Sequence, residues 1–258
     1  MTAIRLGFPK VALVSVSLML AGSVACAQEM SAMATQAVKV LLRDAVPDFE
    51  GASQGVRVTV AWVGSSEISK RVKEGEVVDM VFLATPAIDE LIKLGKLAPG
   101  SRVDLAKSGV GIAVPSGTPV PDVSTTDALK RALLAARSVA VSSGSSAVYL
   151  QGLFQRMGIA DDLKPRLKQV ASGLSVGEVI AKGEAEIGFQ QVSELLHIAG
   201  ITFVGPLPAD IQNYTTYAGA IHTSAKSSDQ AMALLKYLKS DAALGSVRKA
   251  GMEPVGAP

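Results

Sequence analysis

The stretch VRVTVAWVGSSEISKRVKEGEVVDMVFLATPAIDELIKLGKL, residues 56–97, decides the architecture. Val56, Val58, Val60 and Trp62 alternate with Arg57, Thr59 and Ala61, the period of two expected of a strand. Gly64-Ser65-Ser66 then turns the chain into a short helix carrying Ile68 and Val72. Residues 77–83 are apolar except for Asp79, as in a buried parallel strand, and Thr85-Pro86 opens a helix carrying Ile88, Leu91 and Ile92. Strand, helix, strand, helix predicts α/β layers with mostly parallel sheets.

The same grammar extends in both directions. Upstream, Val38, Leu41, Leu42, Ala45, Val46 and Phe49 fall at helical spacing, with Pro47 expected to kink or end the helix. Downstream, short apolar runs at 109–114, 138–141, 185–189 and 201–204 predict strands, interleaved with helices at 127–135, 147–157 and 175–182. Ser175 and Glu178 form a capping-box pair at the start of the last helix. Residues 217–221 read as one more strand, and two amphipathic helices follow, one carrying Ala231, Leu234, Leu235 and Leu238, the other spanning 244–250.

The amino terminus reads as a secretory signal at 1–27. Arg5 and Lys10 precede an apolar run at 11–21, and Ala25-Cys26-Ala27 fits small-residue cleavage after Ala27. The run is too short to span a bilayer, which needs about 20 residues. Cys26 is the only cysteine; the pattern for its lipidation prefers Leu where Ser23 stands, so a soluble periplasmic protein is expected over a lipid-anchored one. The whole chain carries 25 basic and 23 acidic residues; Arg5 and Lys10 would leave with the signal, balancing the charges. Balanced charge and 4% aromatic residues give neither the basic footprint nor the stacking platforms of a nucleic-acid binder.

Motifs for chemistry are sparse. Gly51-Ala52-Ser53-Gln54-Gly55 matches G-x-S-x-G, but it joins a helix to a strand, the reverse of a nucleophile elbow. Gly109-Val110-Gly111 lies within a strand and lacks the third glycine of a dinucleotide fingerprint. His197 and His222 have no carboxylate at a telling spacing and read as structural, and no Cys/His cluster suggests a metal. Asp89, Glu90 and Glu178 fall on helix faces and read as solvated. What stands out is hydroxyls where strands give way to helices, at Ser65, Ser66, Thr85 and 142–146. Strand carboxyl ends and helix N-termini are where open α/β sheets bind anions.

Gly64-Ser65-Ser66, Val78-Asp79-Met80-Val81-Phe82-Leu83, Ala87-Ile88-Asp89-Glu90-Leu91 and Lys93-Leu94-Gly95-Lys96-Leu97, with segments 108–114, 185–196 and 205–208, resemble the molybdate-type substrate-binding proteins of bacterial ABC importers, in a branch of unassigned ligand. The resemblance covers roughly residues 36–255. It implies a two-lobed periplasmic-binding-protein type II fold, with mixed, mostly parallel sheets flanked by helices and two crossing hinge strands near 108–114 and 216–222. Lobe I would comprise 28–108 plus 217–258 and lobe II 109–216.

The implied function is capture of a small anion, an oxyanion or small carboxylate, for ABC permease subunits. The protein would be a monomer and no enzyme, with no catalytic residue, metal or cofactor. Carried over by position, Ser65, Ser66, Ser145, Ser146, Gln190, Gln191 and Ser193 join Thr85 as ligand-binding candidates. Two departures from the family pattern stand out. Only residues 28–34 separate the signal from the first helix, so the family's first strand is expected to be shortened or missing, with Ser31 or Thr35 left from its ligand loop. Gln190-Gln191 also replaces the tyrosine region of true molybdate binders. A sensor or interaction protein of the same fold without a transport role is the alternative.

Overall fold

The computed structural model describes residues 28–53 and 55–256; the expected signal segment, with Cys26, lies outside the described residues. The first strand is present, which corrects the expectation from sequence. β1 (Gln28–Ala34) is followed by α1 (Lys39–Ala52) and β2 (Val56–Trp62), and β1 pairs parallel with β2 from Gln28↔Val56 to Ala34↔Trp62. Met30, Ala32 and Ala34 are buried against α1 and Met33 against the opposite layer, so seven small or flexible residues make a central strand despite modest β propensity. α1 also runs through Pro47 to Ala52. Pro47 sits on the exposed face, where water can satisfy the carbonyl its missing N–H would have served.

The predicted alternation continues through α2 (Ser65–Lys73), β3 (Met80–Ala84) and α3 (Thr85–Lys93) to β4 (Val103–Pro115). After it come α4 (Thr126–Ala135), β5 (Val139–Val141), α5 (Ser145–Arg156), α6 (Ala160–Leu163), β6 (Leu167–Gln169) and α7 (Val176–Ala181). The chain closes with β7 (Ile187–Gln191), α8 (Val192–Leu195), β8 (Ile201–Pro206), β9 (Tyr214–Ile221), α9 (Ser228–Lys239), α10 (Leu244–Lys249) and β10 (Glu253–Pro254). Strand order is β2-β1-β3-β9-β4-β7-β5-β6, with β8 and β10 pairing with β4. The pairing is mixed: β1 and β5 run parallel to both neighbours, while β4 is antiparallel to all of its partners.

Apolar side chains collect on both faces of each lobe's sheet. In the first lobe Leu41, Phe49, Phe82 and Leu235 pack on one side, and Ile68, Leu83, Ile88 and Leu91 on the other. The second lobe gathers Leu129, Phe154 and Phe189 on one side and Val176, Ile180 and Leu195 on the other. β4 joins the lobes, since Val103–Gly109 pairs with β9 while Val110–Pro115 pairs with β7 and β8. The Gln212 side chain ties the crossing by accepting from the Val110 N–H (2.8 Å) and donating to the Val110 carbonyl (3.0 Å). Because β9 pairs within the first lobe from Tyr214 onward, the return crossing falls just before it, earlier than 216–222.

Asp79, the one charge in the apolar run, is a knot rather than a defect. Its carboxylate accepts from the Ser31 N–H (2.8 Å) and hydroxyl (3.0 Å) and from the Lys226 and Ser227 N–H groups (2.9 and 3.0 Å). Burial pushes its pKa up, but these hydrogen bonds outweigh burial and hold the carboxyl below the usual range. They also bind Ser31 into the fold's frame, on a strand whose far end reaches the cleft. Asp79→Ala leaves several buried donors without an acceptor and should lower unfolding stability by about 3 kcal/mol in urea titrations near neutral pH. Because the folded pKa is depressed, that contribution is present above the ordinary carboxylate pKa and is lost as pH falls through the folded value.

Candidate functional site

Two helices begin at the gap between the lobes, α2 from the first and α5 from the second. Glycine precedes each of them, at Gly64 and Gly144, so neither N-cap residue brings a side chain to cap the helix. Their first N–H groups and dipole ends therefore favour an anion between them. Residues from both lobes, among them Thr35, Gln36, Ser65, Ser66, Ser142, Ser143, Ser146, Ser172, Gln190, Glu194 and Tyr217, line a space of about 60 Å³. That is room for a few waters or one carboxylate-sized group.

The lobes touch across this space. The Ser66 hydroxyl donates to that of Ser172 (3.0 Å), and a Cβ on Gly64 would stand 2.3 Å from the Ser172 hydroxyl and 2.9 Å from the Gly173 nitrogen. Glycine at 64 is thus what permits the close approach. Ser65 donates to the Thr35 hydroxyl (2.9 Å), and the Ser142 and Ser146 hydroxyls share a hydrogen bond (2.9 Å).

Ser65, Ser66, Ser146, Gln190 and Gln191 come together here, while Ser145 opens α5 at the same edge. Thr85 does not join them. Its hydroxyl donates to the Thr216 carbonyl (3.2 Å), tying the start of α3 to β9. Gln191 serves the crossing as well as the cavity. In the amide orientation that satisfies both ends, its nitrogen donates to the Ser108 and Gly109 carbonyls (2.9 and 3.2 Å) and its oxygen accepts from Thr215 (3.2 Å). Ser193 faces a neighbouring groove, and its backbone N–H donates to the Ser108 hydroxyl (3.2 Å).

Thr35, one of the two residues left for the family's ligand loop, lines the cavity directly after β1. Ser31, the other, is held by Asp79. Of the two histidines, His197 contacts the Lys249 carbonyl (2.7 Å) across the lobes, and His222 accepts from the Ser224 N–H (3.0 Å) within the first.

The residue missed in the sequence is Glu194. It lies on the short helix α8, half-buried between the lobes, and the Gln190 amide donates to it while the Gln190 oxygen accepts from the Val176 N–H (2.9 Å). Burial pushes its pKa from 4.5 up to about 7, with the Gln190 hydrogen bond acting in the opposite direction. A carboxylate so tuned, in a cleft, can exchange a proton near neutral pH. Charge alone gave no signal for it, because its burial comes from the elements packed around α8 and not from residues beside it in the chain.

A hydroxyl-lined cleft at the junction of two crossed α/β lobes is the architecture of the type II periplasmic-binding-protein fold. The chain belongs to the bacterial extracellular solute-binding protein family, whose model matches residues 30–253. Its fold is shared by the periplasmic molybdate-binding protein of Azotobacter vinelandii, with a TM-score of 0.74, 18% identity and coverage of 86% of this chain and 98% of that one. The sulfate-binding protein SubI of Mycobacterium tuberculosis has it too, with a TM-score of 0.71, 18% identity and coverage of 88% and 87%. A curated relative from a Pseudomonas species, 38% identical over 222 residues and 84% of both chains, is named aconitate isomerase. That relative corrects the expectation of a protein that only captures: a close sequence relative of this chain is an enzyme.

Glu194→Gln keeps the shape and removes the desolvated charge. Since the folded pKa of Glu194 is raised above 4.5, the wild type loses stability as pH rises from about 4.5 through 7. The variant should be more stable by about 2 kcal/mol near pH 8, with the gap closing below about pH 4.5, as read by urea unfolding at each pH.

Proposed function

We propose that this protein binds aconitate, or a small unsaturated polycarboxylate like it, in the interlobe cleft and isomerises it, with Glu194 as the proton carrier. The observation that carries the reading is Glu194 itself, a carboxylate with a pKa of about 7 beside the hydroxyl-lined cavity, in a chain 38% identical to an aconitate isomerase. Moving the double bond of aconitate needs one proton taken from the methylene carbon beside it and one returned to the former vinylic carbon. The C–H electron pair passes into the allylic system and is shared with the attached carboxylates, so nothing is oxidised or reduced and no water is added. The Glu194 carboxylate accepts the proton, becomes the acid, and gives the proton back.

Two parts of the cleft support this chemistry. The hydroxyls of Ser65, Ser66 and Ser146, with the N-termini of α2 and α5, offer uncharged donors to the carboxylate on which negative charge gathers. Contact between the lobes narrows the cleft, and the fewer waters that remain beside the ligand, the stronger those donors become.

A second reading, capture of a small oxyanion for uptake through ABC permease subunits, is favoured by the same uncharged cradle and by the family. The sensor alternative has lost its support, since it relied on a first strand that was missing. Purified protein incubated with cis- or trans-aconitate should interconvert them, as followed by proton NMR. Glu194→Gln should lower kcat by about a hundredfold or more, and the wild-type kcat/KM should rise with pH through a limb near 7. Tight binding of sulfate or molybdate with no turnover of aconitate would favour capture instead.

A further inference from the structure

The hydroxyl cavity does not end at Glu194. A groove of about 290 Å³ adjoins it and shares Gln36, Gly173, Leu174 and Glu194 as a common wall. The cavity takes one carboxylate-sized group, and the groove is several times larger. Their lining chemistry differs, because apart from the shared Glu194 the cavity is built mainly of hydroxyls and amides, while the groove adds two cations, Lys39 and Arg43, and one further carboxylate, Glu178.

Lys39 and Arg43 line the groove from α1. Four residues apart, they stand on the same helix face. Neither forms an ion pair among the described residues. Lys39 Nζ lies 5.8 Å from the Trp62 ring centroid, within cation–π range at the end of β2. On the opposite wall, Ser193 is 2% exposed and its hydroxyl oxygen has no hydrogen-bond partner. A buried hydroxyl without a partner is costly.

We infer that the Lys39–Arg43 groove is a second anion subsite, one that holds a further carboxylate of a di- or tricarboxylate whose first carboxylate sits in the hydroxyl cavity. The inference rests on the reading that the cleft takes a polycarboxylate, and adds that charge count is selected. A single small anion fills the neutral cavity and leaves the cations unused, whereas a tricarboxylate spans Glu194 with one group on either side. Substrate carbons between the two subsites then lie beside the proton carrier, and Lys39 and Arg43 act as specificity-determining residues.

Calorimetric titration with propane-1,2,3-tricarboxylate, which has no double bond to move, and with acetate and sulfate as small probes tests the subsite apart from turnover. Lys39→Met and Arg43→Gln should each weaken tricarboxylate binding by about tenfold, with smaller losses at high salt, and leave sulfate and acetate binding within about twofold. With aconitate as substrate, KM should rise while kcat stays near wild type. Arg43 is exposed, so its variant should fold as the wild type does. Equal affinity of wild type and the double variant for the tricarboxylate, or equal weakening for all three probes, would overturn the subsite. Failure to turn over aconitate while the selective losses persist would sink the isomerase reading and leave the subsite standing. Turnover with unchanged KM in the variants would do the reverse.

Discussion

One uninterrupted strand serves both lobes, and the cleft depends on how that strand is held where it crosses. β4 leaves the first sheet at Gly109 and enters the second at Val110, and two glutamines grip it there: Gln212 on the Val110 peptide groups and Gln191 on the Ser108 and Gly109 carbonyls. A Cβ on Gly109 would press within 3.0 Å of the Gln212 amide, so the missing side chain makes the grip possible. Amide hydrogen bonds in a buried setting are stronger than in water, and leaving one unmade is expensive, so the crossing has one preferred geometry. That geometry brings the N-termini of α2 and α5 to the same cavity.

The same enclosure that suits capture also makes chemistry possible. Removing water from a cleft strengthens uncharged donors toward an anion and, by the same dielectric effect, raises the pKa of any carboxylate left inside. Glu194 is that carboxylate, and its hydrogen bond from Gln190 holds it in place while offsetting only part of the desolvation. A capture fold and an isomerase therefore need not differ in architecture. What separates them lies in the residues of the site and not in the fold.

The sequence patterns were most legible where one residue's period carried the whole signal. β2, α2 and α9 lie where their apolar periods fell, and β3 and α3 follow the run and the Thr85-Pro86 start. β1 was illegible because Met30, Ala32, Met33 and Ala34 are buried on two faces of a central strand, so no alternation of size or polarity marks them. Pro47 misled in the opposite way: a proline on the exposed side of a well-packed helix loses one hydrogen bond, and the burial of Val46 and Phe49 outweighs it. Thr85 shared the local context of Ser65 and was drawn instead to a β9 carbonyl.

By itself, the sequence determined the α/β layers, most of the strands and helices in their order, and the placing of hydroxyls at helix starts, because each of these follows from the character of residues within a few positions of one another. Only the tertiary structure decided which hydroxyls converge and which acid loses its water. Ser66 meets Ser172 across 106 residues, and Glu194 shares a groove with Lys39 and Arg43 of α1, about 150 residues away in the chain. Desolvation depends on everything packed around a group, and no period along the chain records it.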